Sequence, residues 1–360
     1  MSVLPDYQTQ RQRFMTAAKQ RNGIVTSYPH PLPGPQGEPL YTDIVVIGNP
    51  AAQKLMLIIS GTHGVEGYYG SESQSDWLEF IGQSPLPDDT AIVLVHLINP
   101  WGTAYLRRVN EDNIDLNRHF VDFSQPLPEN PEYPFWHDVY HGDRYSADSL
   151  LSEKLATYGW QTMQKIVEAG QYQSADGIFY GGQQPGWSYR IMETILRDHL
   201  SEAKVILSFD LHTGAGAWGH PMLLSIAEQQ VAAHQWGKAV YGEWLTLLFT
   251  GPGRQSDTGV AASATGYLSQ FLINSLPETC ILPLVVECGT YAGEDMHRRV
   301  RDDHWLHLQD YSTSPTSDPV IAIKQQLAEG FWPADPDWRS LTAFRTRQIF
   351  QRGWKALAAK

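Results

Sequence analysis

Apolar runs of strand length alternate along this chain with stretches of helical period. Residues 42–48, 54–60, 91–98, 204–210, 221–227 and 281–287 are rich in Val, Ile and Leu and end at turn residues, so each reads as a strand. Residues 6–21, 70–83, 150–169, 186–199, 227–249 and 266–275 read as helices. Strands apolar at nearly every position are buried on both faces, and their alternation with helices predicts an α/β fold. The expected architecture is a single domain, 1–360, with a central mixed, mostly parallel β-sheet flanked by helices. Within it, 1–41 is an N-terminal helix and loop, 42–295 the catalytic core and 296–360 a C-terminal helical extension.

Four segments break the periodicity. Residues 28–39 are Pro- and Gly-rich, and 123–148, 176–188 and 250–259 lack a period, so all four read as loops, of the kind that line sites. The tail 338–360 carries six basic residues and no acid. It reads as a terminal helix docked through Leu341, Phe344, Ile349 and Trp354, its charges solvated.

Composition narrows the function classes. Lys and Arg total 26 against 39 Asp and Glu, a formal net charge of -13, which repels polyphosphate and argues against nucleic acid as a partner. Two cysteines cannot build a disulfide framework or a four-thiolate metal site. No segment approaches the roughly 18 apolar residues of a membrane span, and residues 1–19 have scattered charges and no apolar centre, unlike a signal peptide. A cytoplasmic location without membrane association is expected.

Several motifs fail in context. Gly214, Gly216 and Gly219 match Gly-x-Gly-x-x-Gly, but His220-Pro221 and another apolar run follow, not a helix, so a tight turn is expected in place of a dinucleotide site. No Walker A or Gly-x-Ser-x-Gly sequence occurs. His199 and Glu202, three apart, read as a surface pair.

The pair His63/Glu66 is different, because it directly follows a buried strand, where open α/β sheets bind ligands. Glycines at 61, 64 and 67 allow close backbone approach. Both residue types ligate zinc, and His212, at the end of the strand 204–210, supplies a third candidate. Two His and one Glu leave a coordination position open, as catalytic zinc sites do. Arg108 and the run Asp115-Leu116-Asn117-Arg118 add cations suited to an anionic substrate or a developing oxyanion. Glu287 ends a strongly apolar strand, a costly place for a carboxylate without a partner or a task, and is a candidate general base and acid. Cys288 beside it reads as core packing.

The ordered set His-x-x-Glu, Asn-Pro-x-Gly, Arg, Asp-Leu-Asn-Arg-x-Phe, His, Glu, over residues 42–295, resembles the zinc carboxypeptidase (M14-type metallopeptidase) superfamily. Within it the chain looks most similar to a bacterial branch known as DUF2817. The resemblance implies the fold of zinc carboxypeptidases, a phosphorylase/hydrolase-like one. It implies one catalytic zinc ion held by His63, Glu66 and His212, with Asp115 orienting the first His. Asn117 and Arg118 match the grip on a substrate's terminal carboxylate. Arg108, or its neighbour Arg107, matches the arginine that polarises the scissile carbonyl, and Glu287 the catalytic carboxylate acting on a zinc-activated water. The implied reaction is hydrolysis of a C-terminal amide bond of a peptide or peptide-like substrate. One departure stands out. The superfamily's mobile Tyr lies four residues before a Gly; here Gly266 is that Gly and Ala262 takes the Tyr position, with Tyr267 displaced. That departure favours an alternative similar to aspartoacylase and succinylglutamate desuccinylase, in which an N-acyl amino acid with a free carboxylate is deacylated.

Overall fold

The computed structural model describes residues 4–82, 85–141, 144–250, 264–309 and 317–360. Eight strands form one sheet: β1 (Ile24–Pro29), β2 (Tyr41–Gly48), β3 (Lys54–Ser60), β4 (Thr90–His96), β5 (Val205–Gly214), β6 (Pro221–Ala227), β7 (Leu245–Phe249) and β8 (Cys280–Gly289). Their spatial order is β1-β2-β4-β3-β5-β8-β6-β7. The centre, β4-β3-β5-β8, is parallel, while β1-β2, β2-β4 and β8-β6 are antiparallel pairs. The helices are α1 (Tyr7–Gln20), α2 (Gly67–Phe80), α3 (Pro100–Ala104), α4 (Tyr133–His137), α5 (Arg144–Tyr158) and α6 (Trp160–Val167). After them come α7 (Trp187–Ile195), α8 (Ala233–Tyr241), α9 (Leu268–Ser275), α10 (Gly293–Leu308), α11 (Asp318–Phe331) and α12 (Pro336–Ala358). This is the expected α/β mixed sheet flanked by helices, and α10 runs across the expected 295/296 boundary.

Alternation along the strands divides the core in two. Met56, Ile58, Phe209, Leu211, Leu284 and Val286 bury on the side of α2 and α12, with Trp77, Trp338 and Phe350. Leu55, Leu57, Ile59, Ile206 and Ile281 bury on the other side, with Met192, Ile195, Leu268 and Leu272 of α7 and α9. Cys288 points into the first core and is fully buried, its Sγ 3.2 Å from the Tyr69 hydroxyl, as expected of a packing residue.

Several expected elements come out differently. The expected helix 227–249 is α8 followed by β7; Gly242, at φ 61, ends the helix, and the apolar run Leu245–Phe249 joins β6 as an edge strand. The expected helix 150–169 breaks at Gly159, φ 78. β1 lacks a sequence signal because it is a sheet edge, with Ile24 and Val25 exposed, and it takes in residues 28–29 of the expected 28–39 loop. The expected loop 123–148 contains α4 and the start of α5. Tyr133, Trp136 and Tyr140, spaced by three and four, bury against Met163, Val167 and Phe331 and form a third core. The segment 250–259 lies largely outside the described residues.

α12 docks, but not on the expected face. Ile349 is buried and Trp354 packs partly, whereas Leu341 and Phe344 are exposed. The buried stripe is Trp338, Thr342, Thr346, Ile349, Phe350, Gly353 and Leu357. Its Thr and Gly members hide it from a reading by hydrophobicity. Thr346 shares a 2.7 Å hydrogen bond with Tyr69, and a Cβ on Gly353 would stand 2.4 Å from the Tyr241 hydroxyl, so the small residues permit the close approach. No described helix is long and apolar enough to cross a membrane.

Candidate metal centre

The sheet brings the candidate residues together at the carboxyl ends of its parallel strands. β3 ends at Ser60, and the chain turns through Gly61, at φ 71, into a short 3-10 turn, Gly64–Glu66, which leads into α2. A Cβ on Gly64 would stand 2.1 Å from the Gly102 carbonyl carbon. Glycine is therefore required for the Asn-Pro-x-Gly turn to pack against the His63 turn. On β5, Asp210 and His212 sit two apart and share a face. His212 pairs in register with Glu287 of β8.

His63 Nδ1 lies 2.9 Å from Glu66 Oε1, and His212 Nδ1 lies 3.0 Å from Glu66 Oε2. The outer nitrogens are each held by a different carboxylate. His63 Nε2 is 3.1 Å from Asp115 Oδ1, and His212 Nε2 is 2.8 Å from Asp210 Oδ2. A carboxylate at Nε2 favours the tautomer protonated there, so the inward-facing Nδ1 is the nitrogen that would bind a metal, the arrangement that orients metal-binding imidazoles. The three donors lie within 4.8 Å of one another and all three residues are buried. This His-Glu-His cluster is positioned to coordinate a single zinc ion, and its nitrogen and oxygen donors suit zinc.

The charges are strongly coupled. Burial would raise the Glu66 carboxyl, but His63 and His212 outweigh it and hold that group below the ordinary carboxylate range. Burial opposes charge on His212 too, yet Asp210 and Glu66 raise it well above the usual imidazole value. Asp115, fully buried, is held well below its usual range by Arg108, His63 and Arg118 against the cost of burial. Glu287 moves the other way: burial, then the nearby Glu66 carboxylate, push it up to about 7. Its Oε1 accepts the Ala215 backbone N–H at 3.0 Å.

A cavity of about 170 Å³ opens beside the cluster, lined by His63, Glu66, His212, Glu287, Arg108 and Arg118, among others. Arg108 donates from Nε to Asp115 Oδ2 at 2.9 Å, and its Nη1 is 3.5 Å from Glu66 Oε1. Arg118 is held by carbonyls, donating to Asn117 O at 2.9 Å and to Glu168 O at 3.0 Å. Asn117 accepts the Leu268 N–H through Oδ1 at 3.2 Å, which turns its amide NH2 toward His212, 3.4 Å away.

The sequence matches a family described as "Protein of unknown function (DUF2817)" over residues 4–344. The chain belongs to this family. The resemblance drawn from the order of its motifs is therefore borne out at the level of the DUF2817 family. No curated protein matches the sequence. Among solved structures it is similar to carboxypeptidase A from Helicoverpa armigera, at 14% identity and TM-score 0.47, covering 99% of this chain and 74% of that one. It is similar to bovine thrombin-activatable fibrinolysis inhibitor in complex with tick carboxypeptidase inhibitor, at 11% and 0.44, covering 97% of each chain. A third is an aspartoacylase family protein from Mesorhizobium loti, at 16% and 0.37, covering 74% of this chain and 61% of that one.

His63, Glu66, His212, Glu287, Arg108, Asn117 and Arg118 all line the one cavity, and Asp115 stands behind it on His63 and Arg108. Arg107, the alternative to Arg108, points away, with its Nε 3.2 Å from Asp303 Oδ2. Gly214, Gly216 and Gly219 all have positive φ; Gly214 ends β5 and the other two lie in the β5–β6 turn, as expected of a turn and not a dinucleotide site. His199 and Glu202 are half-buried and exposed, respectively, and belong to no described metal-ligating group. Ala262 lies outside the described residues. Asp210 was missed. Its signal was the two-residue spacing to His212, which on a strand puts both side chains on one face. Tyr267 also lines the cavity, buried, with Arg118 5.4 Å above its ring.

Proposed function

We propose that this protein is a zinc-dependent hydrolase that cleaves a C-terminal amide bond of a peptide or peptide-like substrate. The observation that carries this reading is the pair of inward-facing imidazole Nδ1 atoms around Glu66, each backed by a carboxylate, with Glu287 one strand away in register. Zinc held by His63, Glu66 and His212 would supply Lewis acidity toward a carbonyl and toward water. Glu287, neutral or charged near neutral pH, is suited to accept a proton from the attacking water and return it to the leaving nitrogen. Arg108 stands beside Glu66 and is assigned to the developing oxyanion. Arg118 and Asn117 offer guanidinium and amide donors to a substrate carboxylate.

The cavity supports a small bound group. At about 170 Å³ it is below the roughly 300–1,000 Å³ of pockets that enclose drug-sized ligands. It suits one terminal residue, with any longer chain extending outward. Ala262 in the Tyr position favours a second reading, deacylation of an N-acyl amino acid by the same groups.

The test is hydrolysis of paired N-acyl dipeptides, one with a free C-terminus and one amidated, with zinc present. Cleavage of the free-carboxylate member alone, with that preference lost in Arg118→Ala, is the expected result. Cleavage of neither, with turnover of N-acetyl or N-succinyl amino acids, selects the deacylase reading. Cleavage of both members alike removes the assigned carboxylate grip.

A further inference from the structure

A second cluster of metal-ligating side chains lies outside the cavity. His137, at the end of α4, and His141, one turn on, stack with ring centroids 4.0 Å apart. Asp176 faces both, with Oδ1 4.0 Å from His137 Nε2 and Oδ2 3.9 Å from His141 Nδ1. One donor atom from each of the three lies within 4.8 Å of the others.

Ordinary packing does not account for this set. Separations of 3.9 and 4.0 Å are too long for hydrogen bonds. The remaining ring nitrogens, His137 Nδ1 and His141 Nε2, are buried without a hydrogen-bond partner. Next to them is a third imidazole, His304, 4% exposed, its ring centroid 6.1 Å from that of His141 and its buried Nε2 likewise without a partner. Buried polar atoms are rarely left so, and here two imidazoles and a carboxylate bring nitrogen and oxygen donors within reach of a single ion. Donors roughly 2.0–2.1 Å from a tetrahedral ion stand about 3.3–3.4 Å apart, so closing on a shared ion draws each of these pairs in by about half an ångström.

We infer that His137, His141 and Asp176 form a second site, for a divalent transition-metal ion such as zinc, on the outer side of the molecule. Imidazole and carboxylate donors select this class of ion over calcium or magnesium, which take oxygen ligands. The site joins two segments distant in sequence. His137 and His141 belong to the excursion whose aromatic residues form the third core. Asp176 lies three residues before Phe179, whose ring is 5.3 Å from the Arg108 guanidinium and lines the cavity. An ion there clips the excursion to the segment that forms one wall of the proposed active site. The site does not depend on the hydrolase reading.

The test is metal stoichiometry on the full chain, stripped with a chelator and titrated with zinc. The expected result is two equivalents in the wild type and one in each of His141→Ala and Asp176→Asn. The equivalent those variants keep should be the one lost in His63→Ala. Loss of the second equivalent should also remove a zinc-dependent rise in Tm. The Asp176 side chain is 63% exposed, so its replacement leaves the fold intact. A wild type that holds one equivalent, removed by His63→Ala, overturns the site. So does a second equivalent that persists in both His141→Ala and Asp176→Asn. A single equivalent lost in His141→Ala and kept in His63→Ala supports this site and counts against the hydrolase reading instead.

Discussion

Asp210→Asn isolates how much of the metal affinity comes from a residue that touches no metal. Asp210 is 5% exposed, accepts the Thr62 hydroxyl at Oδ1 at 2.7 Å, and holds His212 Nε2 at 2.8 Å through Oδ2. An asparagine of the same shape can keep both contacts, its oxygen accepting from Nε2 and its NH2 donating to the Thr62 oxygen. What disappears is charge. A hydrogen bond to a charged group is worth about 1.5–3 kcal/mol and a neutral one about 0.5–1.5, a difference of about 1–2 kcal/mol. At 1.4 kcal/mol per decade, that is roughly fivefold to thirtyfold weaker zinc binding. The range overlaps the loss of about 10–100-fold typical when a partner of a metal ligand is removed. Competition with a chromophoric chelator measures the affinity. Unchanged zinc affinity in a folded Asp210→Asn variant refutes the assignment of His212 Nδ1 as the ligand atom.

Glu287→Gln should lower kcat by about 10²–10⁴-fold while zinc stoichiometry is retained, as checked by steady-state kinetics beside metal analysis. Gly266→Ala should destabilise the fold by about 1–3 kcal/mol, read by urea unfolding, because φ is +83° and the new Cβ would stand 2.3 Å from the Arg118 carbonyl oxygen. Acid should weaken the metal-free protein through His96, which is fully buried, stacked on Phe14 at 4.1 Å and pushed down to about 3 by burial. The unfolded imidazole takes a proton near pH 6.5 that the folded one refuses until about pH 3. Stability therefore falls with pH across that window, by up to about 1.4 kcal/mol per unit. Urea unfolding with a chelator present should show His96→Gln losing less stability than the wild type between neutral pH and pH 4.

The elements visible in the sequence were those with an unambiguous burial pattern. β3 and β6 match their apolar runs end to end, because each is a bounded run flanked by turns. β7 was hidden because LTLLF suits a buried helix as well as a strand, and only the positive φ at Gly242 separates it from α8. The docking face of α12 was hidden because Thr342, Thr346 and Gly353 carry it through shape and hydrogen bonding, not through apolar area. At the metal centre, His63 and Glu66 were legible from local spacing and glycine context. His212 and Glu287 were legible only as strand-terminal polar residues, since their adjacency depends on β5 and β8 being neighbours. Asp210 passed unnoticed in the middle of a buried strand. Nothing local in the sequence says which residue will face an imidazole nitrogen.

The parallel pairing of β5 with β8 determines which parts of this centre can vary. His212 and Glu287 hold opposite positions on adjacent strands, so their separation is set by the backbone hydrogen-bond ladder. A one-residue slip of β8 would turn Glu287 to the face now occupied by Val286 and Cys288, inside the packed core, so the sheet forbids intermediate arrangements. Variation is freer on the helical wall, where Gln164, Glu168, His297 and Phe331 line the cavity without belonging to the ladder. A redesign of the cavity begins on α6, α10 and α11, leaving the His212–Glu287 spacing as the sheet dictates it.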